Sequence, residues 1–145
     1  MSRDEIERLK WHSHSQDEIS GGWVYLTTPL TSTSWNGDSL SSVASKTQID
    51  LSSAFSAPAG VKAVMLRVWM RDSGSAANNV YFGIGPNDTS GSFSAALRLW
   101  GTTNDLYVEE IFTSPCDANG DIWYQCAASG AGTLDVNIQI WGYYV

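Results

Sequence analysis

The chain has 145 residues, a length suited to one domain whose core can fold without disulfides or a structural metal. Charged residues make up only 16%, against roughly 25% in an average globular domain, and the formal net charge is −7. That balance argues against a nucleic-acid partner, which needs a basic footprint, and no apolar run approaches the ~18 residues that would span a bilayer.

Charge is concentrated at the start: eight of the 23 charged residues lie in the first 18 positions, and the composition changes near Gly21-Gly22. This divides the chain into an N-terminal arm, residues 1–20, and a larger domain, residues 21–145. In the arm, Ser2 and Glu5 form a capping-box pattern, and Asp4 and Arg8 stand at i, i+4 in the favourable order. The spacing predicts a short helix from about Arg3 to Lys10 with Ile6 and Leu9 on one face. A helix of that length needs a partner surface, so Ile6, Leu9 and Trp11 are the candidate anchoring residues. MSRDEIERLK has no apolar stretch behind its charges, which points to synthesis in a cytoplasm rather than to secretion.

After Gly22 the period becomes two. Weak strands are expected at Trp23–Thr28 and Thr47–Ser52. Val64, Leu66, Val68 and Met70 alternate with Met65, Arg67, Trp69 and Arg71, and Val80, Phe82 and Ile84 follow. Phe93, Ala95, Leu97 and Leu99 are expected on one face, opposite Ser94, Arg98 and Trp100. Further runs are Leu106-Val108-Glu110-Phe112, Ile122-Tyr124-Cys126-Ala128 and Leu134-Val136-Ile138-Ile140. Turn signals separate them, among them Pro58-Ala59-Gly60, Gly85-Pro86-Asn87-Asp88 and Asn119-Gly120. About eight strands with tight turns and no helical period predict an all-β, antiparallel sandwich of jelly-roll type.

No catalytic constellation is visible, and the expected role is non-enzymatic. There is no G-x-S-x-G, no histidine in the β-domain, and no phosphate loop between a strand and a helix. Glu109 and Glu110 are adjacent, so a strand would point them to opposite faces. Asp117-Ala118-Asn119-Gly120-Asp121 resembles the start of a calcium loop, but Ile122 and Ala128 occupy places where an EF-hand needs Gly and Glu. A hairpin turn at Asn119-Gly120 accounts for these residues better. It would set residue 116 opposite about residue 123, which leaves Cys116 and Cys126 as free thiols.

Trp69, Trp100, Trp123 and Trp141 fall opposite the aliphatic positions. Three readings stand: a subunit interface, ordinary core filling, or a platform for glycans. His12 and His14, the only histidines, share a side if the segment is extended. They are either solvated linker residues or two ligands of a metal site that one chain cannot complete; three chains on a threefold axis would supply six nitrogens.

The segment WHSHSQDEIS with Gly21 resembles a motif of bacteriophage tail fibres and related virion proteins, H-x-H-x-x-x-D-I-x-G-L. His12, His14, Ile19 and Gly21 match, Glu18 replaces the aspartate, and Gly22 replaces the leucine. Further stretches similar to the C-terminal domains of such proteins are Ile49–Ser52, Ala57–Val64, Val68–Gly74, Pro115–Ile122 and Ile138–Tyr144. The resemblance implies a homotrimer. It also implies His12 and His14 as ligands of a divalent transition metal (iron, zinc or nickel) on the threefold axis. The expected protein is a virion component that attaches to other phage proteins through its arm and to a host glycan or receptor through exposed loops such as Ser73–Asn79 and Pro86–Ser92. A capsid decoration trimer is the alternative, and a carbohydrate-binding module a third reading.

Overall fold

A computed structural model describes residues 21–145 of the chain. The predicted helix of the arm and the candidate residues Ile6, Leu9, Trp11, His12 and His14 lie outside the described residues.

The strands are β1 (Trp23–Leu30), β2 (Asn36–Leu40), β3 (Val43–Ile49), β4 (Ala63–Asp72), β5 (Tyr81–Gly85), β6 (Ala95–Arg98), β7 (Val108–Pro115), β8 (Ile122–Ala127) and β9 (Leu134–Tyr144). The first sheet runs β1–β9–β4–β7, with β2 continuing the β1 edge along β9. The second runs β3–β8–β5–β6, and every recorded pairing in both sheets is antiparallel. Apart from β1–β2 and β5–β6, each connection crosses from one sheet to the other. That strand order and wrapping are those of an eight-position jelly roll, as the alternation predicts.

The core follows from period two. Along β4 and the first seven residues of β9, burial alternates residue by residue, and Val64, Leu66, Val68, Met70, Leu134, Val136, Ile138 and Ile140 fill the space between the sheets. Phe82, Ile84, Leu97, Ile122 and Cys126 face them from the second sheet. Where β1 passes into β2, a turn of 3-10 helix inserts Trp35 edge-on against Tyr124 and Phe82, with ring centroids 4.9 and 5.8 Å apart. The sheet edge is broken at the point where this large side chain must reach inward.

Four expectations are corrected. Thr47–Ser52 is not one strand: β3 ends at Ile49, Asp50 caps the next turn through Ser53 N–H at 3.0 Å, and Leu51–Phe55 forms a short helix, α1. Its two buried residues, Leu51 and Phe55, are four apart, a spacing too brief to register as a helical period. Phe93 does not share a face with Ala95 and Leu97. It precedes β6 and lies over Gly83 on the outside of the second sheet, where an added Cβ at Gly83 would stand 2.6 Å from the ring. Leu106 precedes β7 and is exposed. Asn119-Gly120 does turn the chain, closed by Gly120 N–H to Asp117 O at 3.0 Å, but it links β7 of one sheet to β8 of the other and so makes no hairpin.

Both cysteines are free, as expected. Burial, helped by the charges of Asp117 and Asp121, pushes the Cys116 thiol up to about 12, and burial raises Cys126 as well. The nucleophile is the thiolate, roughly one part in ten thousand of Cys116 at pH 8. Native protein should therefore resist iodoacetamide at pH 8, and urea-unfolded protein should take up two labels. Rapid labelling of the native chain, counted by mass spectrometry, would contradict the burial of these sulfurs.

Candidate functional site

The two outer faces of the sandwich differ in cover. The second sheet is covered by its own β5–β6 loop, residues 86–94. Lys46, buried on β3, donates to the carbonyls of Ser92 at 2.6 Å and Asn87 at 3.2 Å, and stands 5.2 Å from the centre of the Phe93 ring. Gln125 accepts from Gly91 N–H at 2.9 Å. Burial lowers the Lys46 pKa, against the pull of Asp88.

The first sheet has no such cover among the described residues. Its outward side chains are apolar and aromatic at one end, and from the middle to the other end ion pairs alternate with aromatic rings, Arg67 with Glu109, then Trp69 with Tyr107, then Arg71 with Asp135. At the first end, Trp23 meets Tyr144 edge-on at 5.7 Å. A shallow hollow of about 370 Å³ lies beside them, lined by Tyr25, Leu26, Met65, Arg67, Ile111 and Trp141. Tyr25 is 73% exposed and Ile111 61% exposed. The hollow owes its place to an irregularity in β9: Ile140 pairs with Leu66 but Gly142 with Met65, so Trp141 is the extra residue. Gly142 leaves room there, since a Cβ would approach Val24 O to 3.0 Å and the Met65 methyl to 3.4 Å.

In the middle of the face, Arg67 makes two parallel bonds to Glu109, at 2.7 and 3.0 Å, and a third to Gln139 at 3.1 Å. These bonds hold the Glu109 carboxyl below its usual value. Arg71 bonds Asp135 at 3.0 Å and stacks over Tyr107 at 5.0 Å. Tyr107 in turn meets Trp69 edge-on at 5.1 Å. The guanidinium beside the hollow already has a carboxylate partner, so the hollow itself presents mainly carbon. Its chemistry suits an apolar side chain.

Of the four tryptophans singled out in the sequence, Trp69 and Trp141 share this face. Trp123 lies on the outside of the second sheet, where its indole N–H donates to Asp117 at 2.9 Å and braces the β7–β8 corner. Trp100 is not on a strand: it stands in the turn after β6 and is 75% exposed. Tyr25, Tyr107 and Ile111 were not singled out. Ile111 left a signal, because it is apolar at a position where the alternation of β7 calls for a polar residue.

The expected separation of Glu109 and Glu110 is present: Glu109 pairs with Arg67 on the outer face and Glu110 takes the opposite parity. The aspartates of the calcium-like segment are engaged internally. Asp117 accepts from the N–H groups of Asn119 and Asp121 as well as from Trp123, and Asp121 accepts from Leu51 N–H and Gln48. Among the described residues, no cluster of three His, Cys, Asp or Glu is placed to hold a metal, and no helix is long and apolar enough to cross a membrane.

No family model matches the chain, and no curated protein matches it. Among solved structures it is similar to the coat protein of Tobacco streak virus, with 12% identity and a TM-score of 0.38 over 86% of this chain and 83% of that one. A likeness at this level carries no argument about function; the fold assignment rests on the strand order.

Proposed function

We propose that the chain is a non-enzymatic structural component of a phage virion, a tail-fibre-like module that assembles as an oligomer and contacts the host. The observation that carries this reading is the polarity of the domain. Gly22 and Val145 exchange two backbone hydrogen bonds, of 3.0 and 3.1 Å, so residue 21 and the C-terminus lie together at one end. That end also holds α1 and the β7–β8 corner. The other end gathers the β2–β3, β4–β5, β6–β7 and β8–β9 loops, tied to one another by Asp72, Ser75 and Ser42. Trp100 projects from this group. An arm entering at one end and an exposed aromatic at the other suit attachment below and recognition above.

The motif resemblance of residues 12–21 and the low charge of the β-domain support the same reading. The exposed loop Ser73–Asn79 belongs to the projecting end. The loop 86–92 does not, since it is tied down on the flank by Lys46.

Immunogold labelling of purified particles with an antibody to this chain tests the placement, with label expected at the tail. Label confined to the head would overturn the tail-fibre reading in favour of capsid decoration. The fluorescently labelled 145-residue chain should also bind host cells, and Trp100→Ala should weaken that binding by about tenfold or more, as loss of an exposed aromatic contact does. Undiminished binding would remove Trp100 from the contact.

A further inference from the structure

We propose that the outer face of the first sheet, centred on the hollow between Tyr25 and Ile111, is where a second copy of this chain seats. The inference rests on the reading of the protein as an assembling component and names the surface through which copies meet.

Three observations favour a second copy over another occupant. The first is charge. The chain carries −7, yet the charges that project from the strands of this face are Arg67 and Arg71 against Glu109 and Asp135, and each arginine already bonds a carboxylate. Two copies can bring this face together without the repulsion that their net charge would impose elsewhere. A cationic or strongly acidic partner finds no complementary field there.

The second is size. Four strand columns at ~4.8 Å, and the length of β9 at ~3.4 Å per residue, give a face of about 19 by 37 Å, or roughly 700 Å² before side-chain relief is added. A stable protein interface takes about 800 Å² from each partner. The whole face is thus the size of one standard interface, whereas the hollow alone suits one side chain.

The third is shape and composition. Two exposed apolar side chains, Tyr25 and Ile111, stand among the residues that line the hollow, so the surface carries both projections and a recess that can receive them. That suits a contact between copies in which the projections of one enter the recess of the next. Aromatic residues and arginine, the types enriched at interface centres, make up much of it: Trp23, Tyr25, Trp69, Tyr107, Arg67 and Arg71. The other sheet, covered by its own loop, needs no such partner.

The 145-residue chain should therefore sediment and scatter light as a multiple of 15.8 kDa. Tyr25→Ser and Ile111→Glu, both at exposed positions, should each weaken association about 100-fold with an unchanged circular dichroism spectrum. Trp100→Ser, at the far end, should leave the mass as in wild type. A wild-type mass of one chain overturns the proposal, and so does an oligomer insensitive to both substitutions.

If either substituted chain fails to fold, a photo-crosslinking amino acid placed at position 111 of the otherwise unaltered protein decides. Crosslinks to residues 21–145 of another chain support a second copy; crosslinks to residues 1–20 assign the face to the arm and overturn it. Particle labelling addresses the virion reading and is blind to this face, so the two can fail separately.

Discussion

Gly120→Ala should destabilise the protein by about 3 kcal/mol, because it combines a left-handed backbone with a close approach to backbone atoms. Gly120 has φ +85°, a conformation that costs an L-residue about 1–2 kcal/mol. An added Cβ would also stand 2.7 Å from Gly60 N, 2.8 Å from Val61 N and 2.9 Å from Gly60 Cα. These are backbone atoms, so no side chain can swing aside, and overpacking of this kind adds about 1–3 kcal/mol. The position matters because the β7–β8 corner carries the chain from one sheet to the other beside the entry to β4. Urea denaturation would read the loss, and the melting temperature should fall by roughly 10 °C. Gly60→Ala is the internal comparison. Its φ is +73°, but nothing lies within 4 Å of the new Cβ, so only the backbone cost of about 1–2 kcal/mol should appear. Equal losses at both positions would show that the close approach contributes nothing.

Asp72→Asn should cost about 2–3 kcal/mol at pH 7 and flatten the acid limb of the stability curve. Asp72 ends β4 and is fully buried. Its carboxylate accepts from Gly74 N–H at 2.8 Å, Ser129 N–H at 3.0 Å, the Ser129 hydroxyl, and the Thr133 hydroxyl at 2.9 Å. Burial works against the charged form, but these donors outweigh it and the pKa falls below that of a free aspartate. A depressed carboxylate stabilises the fold fully above its unfolded value of about 3.9 and loses that contribution as pH falls through the lower, folded value. Asparagine would turn an NH₂ toward groups that already donate, leaving buried donors unsatisfied. Wild type should thus lose more stability than the variant between about pH 5 and 2. Asp121 runs the other way: burial first, then the charges of Asp50 and Asp117, raise its pKa despite the bonds from Leu51 and Gln48. Its protonation relieves a cost as pH falls, so the comparison must be made between the two curves and not against a flat baseline. Parallel curves for wild type and Asp72→Asn would sink the argument.

The sandwich was legible because its central strands are buried on one face only. β4 and most of β9 read directly as strands, since Val64 to Met70 and Leu134 to Ile140 obey period two without interruption. What escaped the reading depends on contacts distant in sequence. β2 has the polar sequence NGDSL and is a strand because β9 offers it an edge, with Trp35 pinning its start. Phe93 looked like the first inward residue of a strand, but a glycine on the neighbouring strand opens a seat for its ring on the outside. Asn119-Gly120 announced a turn correctly, yet a turn signal does not state which sheet receives the next strand. The candidate surface was half legible. Trp69 and Trp141 were placed by parity, whereas Tyr25 and Ile111 became neighbours only when β1 and β7 took their places on either side of β9 and β4.

The paired backbone bonds between Gly22 and Val145 make this domain a cassette. Because entry and exit are one strand spacing apart, residues 21–145 could be spliced into a surface loop of an unrelated carrier without stretching it. The carrier would feel little more than a widened loop, and the Trp100 end would point away from the splice. The same closeness permits permuted chains, joined across residues 22 and 145 and reopened at an exposed loop such as that around Thr89.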